Sequence, residues 1–142
     1  MKMTLVNQSL QFEDNPPITS LYAEAEEWLE PLAQYLACNC YEPSDLRLLS
    51  RQVNRIRKGV STYEDATANI YCVYLFPDRV EFYDYMEEAE DDPNKMPLTA
   101  SYPFATFANA FDAWVKGVKQ AETMPPDTPW DIEFDGEVAG DE

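Results

Sequence analysis

The stretch Asn69 to Glu88, NIYCVYLFPDRVEFYDYMEE, constrains the fold most, because a strand, a reversal and a second strand can all be read within it. Ile70 to Phe76 is an unbroken run of β-branched, aromatic and apolar residues, the composition of a strand covered on both faces. Proline has its φ preset for the second position of a tight turn and aspartate suits the third, so Phe76-Pro77-Asp78-Arg79 predicts a reversal. Beyond it Val80 and Phe82 alternate with Glu81, Tyr83 and Tyr85, which gives the second strand one dry face and one outward face. The expectation is a β-hairpin formed by 69–76 and 79–87.

The rest of the chain is read against that hairpin. Met3 to Phe12 alternates loosely, as a strand does, until Asn15, Pro16 and Pro17 stop it. Leu21, Ala25, Trp28, Leu29, Leu32 and Leu36 recur at three and four residues, predicting a helix over 20–38 with Ser20 as its cap. Pro31 inside it demands a kink near Glu30 or two short helices. Leu46, Leu49, Val53, Ile56 and Val60 mark a second helix over 44–59, closed by Gly59. A third helix is expected over 105–121, with Thr106 as its cap and Phe107, Phe111, Trp114, Val115 and Val118 as its buried stripe. Glu87 to Pro97 reads as a solvated acidic loop, and Thr99 to Phe104 as a short strand ending at Pro103. Trp130, Ile132 and Phe134 alternate with acids, the pattern of a last edge strand. Together these predict an α+β protein. A single domain over 1–135 holds a small antiparallel sheet built around the central hairpin and packed with about three helices, and 136–142 is a flexible acidic tail.

With 142 residues, 45% of them hydrophobic, the chain can bury a sizeable core in one domain. No apolar run approaches membrane-spanning length, and the opening MKMTLVNQSLQF lacks the basic-then-apolar order of a signal peptide, so a cytoplasmic protein is expected. The three cysteines, Cys38, Cys40 and Cys72, are odd in number and fall in segments read as helix end and strand, which favours reduced, buried thiols over a disulfide scaffold. With no histidine in the chain, a zinc site at Cys38 and Cys40 would need a carboxylate as a further ligand, so no metal is expected.

Charge narrows the function classes. The 27 acids against 10 bases give a net charge of −17, which disfavours direct binding to nucleic acid because like charges repel across the contact. The few bases are clustered: Arg47, Arg51, Arg55 and Lys58 share one face of the second helix. That ridge is either an anion site or a partner for the chain's own carboxylates, and the excess of acid favours the second. Catalysis finds little support. Histidine is absent, no serine elbow or phosphate loop is present, and carboxylate pairs are unspecific in so acidic a chain. Neither catalytic residues nor a cofactor are therefore expected. What stands out is an acidic, tyrosine-bearing surface formed by Glu81, Tyr83, Asp84, Tyr85, Glu87, Glu88, Glu90, Asp91 and Asp92, a composition suited to a protein interface. The competing expectation buries those tyrosines under a helix.

The hairpin IYCVYLFPDRVEFYDYM, the acidic gap after it and the segment YPFATFANAFDAWVKGVK resemble the small immunity proteins of bacterial contact-dependent growth inhibition and related polymorphic toxin systems. The resemblance is one of layout and covers about half the chain. It implies a cytosolic protein that binds and blocks one cognate toxin domain, often a basic nuclease, through its acidic and tyrosine-rich surface. The physics agrees, since an acidic partner is steered towards a basic cleft. An acidic mimic of nucleic acid, such as a phage inhibitor of a restriction or CRISPR effector, fits the same charge. So does an adaptor without inhibitory role.

Overall fold

A computed structural model describes residues 1–10, 13–16, 18–68, 71–84 and 98–136. Strand β1 (Lys2–Leu10) leads to β2 (Ile18–Glu24), and a short 3-10 turn (Glu27–Leu29) runs into helix α1 (Glu30–Asn39) and then α2 (Pro43–Arg57). After β3 (Glu64–Asp65) come β4 (Cys72–Leu75), β5 (Arg79–Tyr83), β6 (Leu98–Pro103), α3 (Phe104–Ala121) and β7 (Trp130–Glu133). The class is α+β as expected, but the strands form two antiparallel sheets, ordered β2-β1-β7 and β3-β4-β5-β6. Among the described residues no helix is long and apolar enough to cross a membrane.

The predicted helix over 20–38 divides in two. Leu21 and Ala23 are buried while Tyr22 is exposed, the period of a strand, and Val6 pairs with Tyr22 in the β1-β2 ladder. Ser20 lies opposite Gln8 in that ladder and caps no helix. Pro31 explains where the helix does begin. It stands in the first turn of α1, where its missing N–H has no intrahelical partner to lose and its fixed φ suits the helix. Helix α2 ends as expected at Gly59, with φ of 71°. The Val60 N–H bonds Arg55 O at 3.0 Å and the Gly59 N–H bonds Ile56 O at 3.1 Å, the paired closure that a left-handed glycine permits.

Helix α3 contacts strands of both sheets and is the central element of the core. Phe107, Phe111 and Trp114 are buried as predicted. Val115 is not; it is 38% exposed. Small residues take over a second buried face instead, and Gly117 lets α3 approach the three-stranded sheet so closely that a Cβ there would lie 2.9 Å from Leu5 Cδ2. Thr106 is not the cap of α3: Pro103 holds that position, and Thr106 is fully buried inside the first turn. The far end of α3 is held by Asn7, a buried side chain on β1 whose Nδ2 donates to Ala121 O at 2.9 Å. Three buried rings find partners for their polar atoms: the Tyr35 hydroxyl donates to Ala66 O, the Tyr102 hydroxyl to Trp28 O and Trp114 Nε1 to Cys40 O, all within 2.7 Å.

Candidate protein-binding face

The hairpin forms where expected, and its turn is tight. Phe76 N–H bonds Arg79 O at 2.8 Å, leaving Pro77 and Asp78 as a two-residue loop, and the strands then pair from Leu75 and Val80 to Cys72 and Tyr83. The turn is also tied to the core helix, since the Phe104 N–H reaches Asp78 O at 3.3 Å. The second strand is described from Arg79 to Tyr83, with a register shift in its pairing with β6 between Phe82 and Tyr83, and residues 85–87 of the expected strand lie outside the described residues.

The expectation that β4 is covered on both faces is corrected. Tyr71, Val73 and Leu75 are buried, whereas Cys72, Tyr74 and Phe76 are partly exposed, so β4 alternates as β5 does. Helices α1 and α3 pack on one side. Phe82 meets Tyr35 of α1 at 5.5 Å and Phe107 of α3 at 6.1 Å between ring centroids. Glu81 and Tyr83 lie on the opposite face, and among the described residues no helix covers them.

That outer face is an aromatic band. Tyr63, 49% exposed, stacks on Tyr74 with centroids 5.8 Å apart and planes within 20°, and it also meets Phe76 at 5.6 Å. Tyr74 in turn meets Tyr83 at 5.8 Å. Arg79 lies over the Phe76 ring, 4.2 Å from its centroid, and donates from Nε to Glu81 Oε2 at 2.9 Å. The other carboxylate oxygen of Glu81 accepts from the Tyr83 hydroxyl at 3.0 Å. Both oxygens of Glu81 are thus occupied, so it orders its neighbours rather than presenting a free charge. Burial, then the hydrogen bond and charge of Glu81, push the Tyr83 phenol up, and burial does the same for Tyr74 and Tyr63. The three phenols stay protonated and able to donate at neutral pH. Asp65 and Asp78 are exposed at its margins, and the Asp84 N–H bonds Thr99 Oγ1 at 3.0 Å.

The face therefore brings together Glu81 and Tyr83 from the predicted set, with Asp84 at the strand end. Tyr85, Glu87, Glu88, Glu90, Asp91 and Asp92 lie outside the described residues, as does nearly all of the acidic tail over 136–142. Tyr63, Tyr74 and Phe76 join the face although β4 reads in sequence as wholly buried. Alternating Cys72, Tyr74 and Phe76 against Tyr71, Val73 and Leu75 carries no polarity contrast, so the period is invisible there.

Of the basic ridge, Arg55 reaches Glu64 at 3.4 Å; Arg57, just beside the ridge, bonds Asp112 at 2.8 Å. Both acids follow α2 in the chain. Arg47, Arg51 and Lys58 are exposed, with no ion pair among the described residues. None of the three cysteines is in a disulfide, and the expectation that they are buried holds for Cys40 but not for Cys38, which is exposed, while Cys72 is partly so. Among the described residues no cluster of three or more metal-ligating side chains occurs.

No known protein family matches the chain, nor does any curated protein or solved structure. The physical character of the aromatic face is what bears on function.

Proposed function

We propose that this chain is a binding protein that neutralises a basic toxin domain, in the manner of a bacterial immunity protein, and that it docks through the outer face of the four-stranded sheet. It acts in the cytoplasm by occupying its partner and carries out no chemistry of its own. The observation that carries this reading is the row Tyr63, Tyr74 and Tyr83, beside the Arg79–Glu81 pair on a surface that no helix covers among the described residues. Tyrosines fixed by stacking and hydrogen bonds lose little entropy on binding and offer both apolar area and a donor, which is why such residues concentrate binding energy. The net charge of −17 adds attraction towards a basic partner at long range.

The immobilised protein, exposed to lysate of cells that carry its gene and its genomic neighbours, tests this. The expected outcome is capture of one protein containing a basic toxin domain, with its toxic activity abolished in the complex. Capture of a host DNA-processing complex instead would support mimicry of nucleic acid and end the immunity proposal.

A further inference from the structure

Among the described residues strand β7 is an edge strand whose one neighbour is β1. Met1 and Phe134 exchange both of their main-chain hydrogen bonds, each 3.0 Å long. In an antiparallel ladder such pairs alternate with pairs that exchange none. The register therefore bonds Met3 to Ile132 and Leu5 to Trp130, and leaves Lys2 opposite Glu133 and Thr4 opposite Asp131 without mutual main-chain bonds. The short contact from Thr4 Oγ1 to Asp131 Oδ1, 2.6 Å, agrees, because side chains approach most closely across a non-bonded pair. The N–H and C=O groups of Asp131 and Glu133 consequently point away from β1. Among the described residues nothing meets them, whereas the next outward carbonyl, that of Asp135, accepts from Asn109 Nδ2 at 3.0 Å.

A groove of about 360 Å³ runs beside this edge, floored by Asn109, Ala113, Lys116 and Gln120 of α3. It has the place a further strand would take, over the helix that already supports β7. Its charge selects the occupant. Asp112, Asp131, Glu133 and Asp135 line or border the groove with a single lysine, Lys116, and although Arg57 pairs with Asp112 and Lys2 lies 3.7 Å from Asp131, Glu133 and Asp135 have no ion pair among the described residues. The same acids disfavour pairing with a second copy of so acidic a chain.

We infer that the β7 edge accepts an extended, lysine- or arginine-bearing segment of a partner protein as an added strand. Asp131 and Glu133 supply the main-chain hydrogen bonds, and the surrounding carboxylates receive the basic side chains. This edge belongs to the three-stranded sheet and does not depend on the aromatic face.

The probe is a short synthetic peptide alternating lysine with valine, titrated into the 15N-labelled protein. A second peptide of the same sequence carries N-methyl groups at alternate residues, which keeps the charge and removes main-chain donors. The expected result is saturable shifts and slowed hydrogen exchange at the amides of Asp131 and Glu133, with the methylated peptide at least about tenfold weaker. Equal binding of both peptides would overturn strand addition in favour of plain charge attraction. Shifts confined to other edges, or none at all, would overturn the site.

Discussion

Replacing Gly117 with alanine sets two opposed effects against each other, and the distances decide between them. In an isolated helix the exchange is favourable by about 1 kcal/mol, because glycine is the more flexible residue in the unfolded chain. In α3 the new methyl would lie 2.9 Å from Leu5 Cδ2 and 3.0 Å from Ile132 Cγ2, closer than carbon atoms normally approach. Leu5 is fully buried and Ile132 is branched at Cβ, so neither can swing aside freely. Overpacking of this kind costs about 1–3 kcal/mol. The net expectation is a loss of roughly 1 kcal/mol, or a fall in Tm of about 3 °C for a chain of this size. Valine, which adds two more methyls and loses helix propensity, should cost about 3 kcal/mol. Urea unfolding followed by tryptophan fluorescence measures both, with an unchanged m-value as the control. A rise in stability for Gly117→Ala would refute the close approach of α3 to the three-stranded sheet.

Other consequences are equally direct. Asn7→Ala should lower stability by about 2 kcal/mol in the same urea assay, since it removes a buried side chain and strips its hydrogen bond from Ala121 O at the part-buried end of α3. Burial pushes the Cys40 thiol up to about 12 and raises Tyr35 and Tyr102 as well. The native state holds these protons more tightly than the unfolded chain does, so stability is intact below the ordinary thiol value of 9.0 and is lost as pH rises through about 12. Urea midpoints should fall across that window, and less steeply in Cys40→Ala. Glu81→Gln should change stability by less than about 1 kcal/mol, because its partner Arg79 keeps 43% of its side chain in solvent and the amide can still hydrogen-bond, yet it should lower the Tyr83 pKa, read by 13C NMR of the labelled ring.

How much of this was legible in the sequence depended on whether polarity marked the period. The turn was readable because Pro77 and Asp78 are turn residues, and the outward face of β5 because Glu81 interrupts apolar neighbours. On β4 both faces carry apolar or aromatic residues, so half of the aromatic band stayed hidden. Across β2 and the turn after it the spacing of Leu21, Ala25 and Trp28 imitates a helix, and over 18–24 what wins is pairing with β1. The division into two sheets rests on β1 joining β7 from the other end of the chain, a long-range contact that no local pattern announces. Gly117 likewise reads as a weak helix position until the strand behind it is known.

The central claim is that the aromatic face of the four-stranded sheet makes the functional contact. Titration calorimetry of the captured partner against the unaltered chain, Tyr74→Ala and Tyr83→Ala tests it most directly, with folding of each variant verified by urea unfolding. Loss of a ring from the centre of an interface typically costs 2 kcal/mol or more, so each variant should bind about thirtyfold more weakly. Unchanged affinity in both folded variants would contradict the account and place the interface elsewhere on the molecule.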